Sequence, residues 1–154
     1  MGNGFKIVGP ALLAALLSLS ITAQAKAATA KPMECPAKTF EGFLEKFAED
    51  IELQKKHTKF PLPNSDVNFR GDAERALSPV TQEAVEKDQF GLFPSKKIRS
   101  KEGLDSMDIS DNGAVQKLVT VYREGSDYVL FFQFTAEKDC WRLTRKYSVV
   151  TDEQ

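Results

Sequence analysis

Two cysteines, a single histidine, several carboxylates and one arginine set among apolar residues are the groups in this chain with chemistry to offer. Cys35 and Cys140 are far apart and form no C-x-x-C pair, so a redox-catalytic role is weakly supported. In an oxidising compartment an even count with none left over reads as one disulfide. So long a loop would gain about 4–5 kcal/mol in the chain-entropy model. His57 stands alone and no loop has calcium-type carboxylate spacing, so no metal or cofactor is expected. Asp50 and His57 are the pair nearest to acid/base chemistry. Seven residues of helix would put them on roughly one face but ~10 Å apart, too far for a direct hydrogen bond. His57 reads first as a surface residue at a helix C-terminus, where a positive charge is favoured. A Ser–His–Asp set or phosphate loop is not visible, which lowers the case for an enzyme.

The compartment follows from the N-terminus. Lys6 supplies a positive start, residues 7–21 are mostly apolar, and Ala23-Gln24-Ala25 offers a small-x-small cleavage site, with Ala25-Lys26-Ala27 and Ala28-Thr29-Ala30 competing. The apolar run is short of the ~20 residues of a membrane span and contains Gly9 and Pro10. The expected division is a signal peptide at 1–25, a linker at 26–38, a single domain at 39–150 and a tail at 151–154. A periplasmic or secreted protein with no membrane anchor after cleavage follows, and export is what gives Cys35 and Cys140 their disulfide reading.

Three apolar runs near the C-terminus, 115–123, 127–136 and 140–150, are rich in Val, Leu, Thr, Phe and Tyr and are joined by short polar turns. They read as an antiparallel meander. Upstream, Thr39 can cap a helix in which Phe40, Phe43, Leu44, Phe47 and Ile51 recur at helical spacing. That helix of about four to five turns must bury its phenylalanines, and the meander is the obvious partner. It stops before Phe60-Pro61-Leu62-Pro63. A strand or loop follows at 64–72, and Ser78-Pro79 resembles the start of a short helix running to about Lys87. Phe90-Gly91-Leu92-Phe93-Pro94 reads as a core-filling turn. The stretch 96–112 is polar with Ile98, Leu104, Met107 and Ile109 as anchors, and Asp111-Asn112-Gly113 is a turn into the meander. The fold class is α+β: a long N-terminal helix packed on a curved antiparallel sheet that ends in a three-stranded meander.

Charge excludes one class of partner. Lysine and arginine number 21 against 22 acidic residues, and a nucleic-acid surface would need a basic face with stacking aromatics. Lys96-Lys97 with Arg99 and Lys101 is the densest basic cluster and reads as a solvated loop. Strict alternation along the last strand puts Trp141, Leu143, Arg145, Tyr147 and Val149 on one apolar face. An arginine there is costly unless paired, so Arg145 should meet a carboxylate such as Asp50 or reach a pocket rim.

Phe131-Phe132-Gln133-Phe134, a polar turn and Cys140-Trp141-Arg142-Leu143-Thr144-Arg145-Lys146-Tyr147 resemble the closing hairpin of the nuclear-transport-factor-two-like superfamily. Phe43-Leu44, Phe47, Asp50 and Gln54, then Lys59-Phe60-Pro61-Leu62, resemble exported bacterial members of that group. The resemblance implies a cone-like fold whose long helix closes over a concave sheet and leaves a pocket at the wide end. It makes Arg145, Tyr147, Trp141, His57 and Asp50 the candidate ligand-binding residues. Members include enzymes, carriers and protein-binding modules, so fold does not fix activity. The function expected is a non-catalytic exported binding module for a small ligand or an envelope protein, with a homodimer through the sheet allowed. An acid/base enzyme of the isomerase or dehydratase kind and an inhibitor or immunity-type interaction protein are the alternatives.

Overall fold

The computed structural model describes residues 34–68, 73–87, 91–138 and 140–150. The signal peptide, the linker up to residue 33 and the tail expected from sequence lie outside the described residues, as do Phe90 and the end of the 64–72 segment. The described residues fall within one compact unit.

The N-terminal helix forms where its cap and stripe put it. The Thr39 hydroxyl accepts from the Gly42 N–H at 3.2 Å, and α1 (Phe40–Glu49) buries Phe40, Phe43, Leu44, Phe47 and Ala48. It does not continue to the expected length. Asp50 adopts an extended conformation and its carboxylate accepts from Glu52 N at 2.8 Å and Leu53 N at 3.1 Å, starting α2 (Ile51–Lys56). A short acidic side chain competes for backbone donors more effectively than helix continuation does. The break changes the helical phase: Ile51 is 37% exposed, while Gln54 and His57 turn into the core.

Six strands make one curved sheet, β1 (Asn64–Asn68), β2 (Glu74–Ala76), β3 (Ser106–Asp111), β4 (Gln116–Tyr122), β5 (Val129–Glu137) and β6 (Cys140–Val150), in the order β2-β1-β6-β5-β4-β3. The β4–β5–β6 meander is antiparallel as expected, but β1 runs parallel to β6. The third helix (α3, Gln82–Lys87) starts later than Ser78-Pro79 suggests. Val80 is held extended by a two-bond bridge to Leu62, and Thr81 caps α3 through Ala84 N. The stretch read as a polar loop holds α4 (Lys96–Glu102), capped by Ser95 and ended by left-handed Gly103, and then edge strand β3.

Phe43, Phe47, Phe93, Phe132 and Phe134 are all but inaccessible to solvent and meet edge to face or offset, with Phe47 against Phe134 at 5.3 Å and Phe93 against Phe132 at 4.6 Å. At about 1.5–3 kcal/mol per buried large apolar side chain, this cluster is the principal stabilising unit. Phenylalanines therefore fill the space beneath α1.

Candidate functional site

The residues singled out in the sequence do not converge. Pairing across β5 and β6 is regular from Val129↔Val149 to Gln133↔Arg145, but Phe134 then opposes Leu143, so Thr144 is an extra residue. This β-bulge flips the side-chain alternation. Trp141 and Leu143 lie on the helix side with Ala136 and Phe134; Arg145, Tyr147 and Val149 lie on the outer side with Gln133, Phe131 and Val129. The expected shared face is therefore wrong, because a one-residue insertion reverses every position beyond it. The bulge is held by Thr144 Oγ1, which lies 3.1 Å from both Gln133 O and Thr135 Oγ1.

Arg145 does meet a carboxylate, but it is Glu74 of β2 and not Asp50. Its guanidinium also lies 5.2 Å from the centre of the Tyr147 ring, which stacks on Phe131 at 4.6 Å. The hydrogen bond from Arg145 holds the Glu74 carboxyl below the usual range, and burial raises the Tyr147 phenol. Trp141 packs edge-on against Phe40 at 4.8 Å. Asp50 is an exposed helix cap.

His57 is not on the surface. It closes α2, and the chain then runs beside β6: Leu143 N donates to His57 O at 2.8 Å and Lys59 N to Leu143 O at 2.9 Å. That docking drives the imidazole inward, against Phe43 and with Nδ1 3.5 Å from Cys140 Sγ. The ring is fully buried, and burial holds its pKa below the ordinary value of 6.5. Cys140 is bonded to Cys35 with a Cα separation of 5.1 Å, so the histidine abuts the disulfide.

A groove of about 1140 Å³ lies apart from these residues, between α1, α4 and β3. Leu44 and Ala48 of α1, Phe93, and Met107 and Ile109 of β3 give it an apolar lining. One wall carries Glu41, Glu45 and Glu49 together with Lys46, whose ammonium donates to Pro36 O at 2.8 Å; the other carries Lys96, Lys97, Arg99 and Ser100. The walls are joined where Glu49 Oε1 accepts from Lys96 N at 2.8 Å. Gln54 sets the position of Phe93: its Oε1 accepts from Leu92 N at 2.6 Å and Phe93 N at 3.0 Å, and its Nε2 donates to Phe93 O at 3.0 Å. The basic cluster read as a solvated loop is thus a helical wall. Ser95 and Gly103, seven helical residues apart, were the sequence signal for it.

No family model and no curated protein sequence matches the chain. Among solved structures it is similar to an NTF2-like protein from Bacteroides fragilis, at 14% identity over 75% of this chain and 48% of that one, TM-score 0.49. It thus spans about half the length of that protein. It is also similar to a cystatin-like protein from Bacteroides caccae, at 21% identity over 73% and 78% of the two chains, TM-score 0.45. An NTF-2-like protein from Shewanella oneidensis is similar at 13% identity over 69% and 89%, TM-score 0.33. Likeness at these identities concerns fold and says nothing of ligand or activity.

Proposed function

We propose that this chain is an exported binding module that takes the apolar part of a small molecule or of an envelope protein in the groove between α1, α4 and β3. The observation that carries the reading is the groove itself, a large concavity with an apolar lining and charged walls beside a core already filled by phenylalanines. Its carboxylates and lysines stand exposed on the walls, and the one buried histidine abuts a disulfide away from it, which favours binding over acid/base chemistry. Export rests on the N-terminal pattern and on the Cys35–Cys140 bond, which suits an oxidising compartment. No helix among the described residues is long and apolar enough to cross a membrane.

Anilinonaphthalene sulfonate, a fluorescent probe with an apolar ring system and one anionic sulfonate, should bind the native protein saturably. Met107→Glu should weaken it several-fold without unfolding the chain, because Met107 lines the groove and is 36% exposed. Probe binding that ignores this substitution would defeat the reading. The outer sheet face supports a second one, a docking surface for an envelope protein or a second copy. There the partly exposed Phe131–Tyr147 stack faces away from α1. Tyr147→Glu would then abolish complex formation and leave probe binding intact.

A further inference from the structure

We propose that the groove's occupant is a short peptide with free termini and apolar side chains, its ammonium on the α1 wall and its carboxylate on the α4 wall. This rests on the groove reading and names the ligand class for it. Glu41 and Glu45 stand one helical turn apart on α1, and among the described residues neither carboxylate has a hydrogen bond or an ion pair. Lys97 on the facing wall likewise has no partner among the described residues. Arg99 has only the Met107 sulfur at 3.2 Å as a weak acceptor for Nη1, and its Nε is buried without one. Among the described residues no ion pair joins the two rows, and the one side-chain bond between the walls is that of Glu49 to Lys96 N.

Charge complementarity then discriminates between ligand classes. A hydrocarbon would cover both rows and desolvate them without return. A fatty acid would satisfy Lys97 and Arg99 but cover the opposing glutamates with uncharged tail, and an alkyl amine would do the reverse. A molecule with an apolar middle and opposite charges at its ends matches both walls at once. A tripeptide has that pattern, with termini about 10 Å apart when extended and apolar side chains for the exposed Met107 and half-buried Ile109. The groove, about 1140 Å³, is roomy enough for one.

The test is calorimetric titration of the full mature chain with leucyl-alanyl-leucine, its N-acetylated and C-amidated forms, and decanoate. Free tripeptide should bind, and masking either end should weaken binding by about tenfold or more. Glu45→Gln should lose the sensitivity to acetylation and Lys97→Gln the sensitivity to amidation; both side chains are exposed, so folding is spared. Masked peptides that bind as tightly as the free one would overturn the proposal. Decanoate binding with no peptide binding would overturn it too, while leaving the groove reading intact. Failure of peptide, decanoate and anilinonaphthalene sulfonate alike would bring down both.

Discussion

Gln54→Leu should be among the most damaging single substitutions, although it removes no apolar atom. Gln54 is 1% exposed, and its carboxamide holds Leu92 N, Phe93 N and Phe93 O, whose residues are 4% and 1% exposed. A fourth, longer bond reaches Ala48 O at 3.4 Å, near the broken end of α1. Leucine fills a similar volume and leaves two N–H groups and a carbonyl buried without partners. Each stranded group costs about 1–3 kcal/mol, and some relaxation of the 91–93 segment toward water brings the expected loss to about 3–5 kcal/mol. Against a total of about 5–15 kcal/mol that loss is severe. Urea unfolding measures it as a fall in midpoint at constant slope. Gly91→Ala attacks the same contact, since its Cβ would lie 2.7 Å from Gln54 Oε1 at a φ of +69°. In a Gln54→Ala background that clash disappears, so the two losses should not add. A Gln54→Leu loss below about 1 kcal/mol, or strict additivity with Gly91→Ala, would refute the reasoning.

Phe47→Ala should cost about 3–5 kcal/mol by the same assay, because the side chain is fully buried among Phe43, Phe93 and Phe134; a loss under about 1 kcal/mol would contradict that packing. His57 should make stability depend on pH. Its folded pKa lies below 6.5, so the unfolded chain takes up the proton first; its contribution is whole above about pH 6.5 and falls as pH drops toward the folded value. His57→Phe should flatten urea midpoints between about pH 7 and pH 5, and an unchanged slope would place the titration elsewhere. Arg145→Met should cost under about 1 kcal/mol, since its pair with Glu74 is 36% and 48% exposed, and it should show no coupling to Asp50→Ala. A loss of several kcal/mol would mean that the guanidinium is buried after all.

The parts of this fold that the sequence announces are those set by local pattern. Thr39 with Phe40, Phe43, Leu44 and Phe47 gives α1 its start and its buried face, and the polar turns near Gly125 and Lys138 delimit the meander. The failures are single-residue events with long consequences. Asp50 interrupts the stripe because its carboxylate caps a new helix, and the change of phase buries His57. Thr144 is an ordinary strand residue by type, so nothing local marks it as the bulge that sends Arg145 and Tyr147 outward. The parallel pairing of β1 with β6 joins residues some 80 positions apart and has no local signature. The groove was hidden for the same reason: its walls come from α1 and α4, and the bond between Glu49 and Lys96 spans 47 residues. The disulfide was legible because the chain offers only one pairing.

Methyl-resolved NMR of the protein titrated with anilinonaphthalene sulfonate tests the central claim most directly. Saturable shifts should appear at Leu44, Ala48, Met107 and Ile109, which line the groove, while Val129 and Val149 on the outer sheet face stay still. Shifts confined to the outer face, or none at saturating probe, would contradict it.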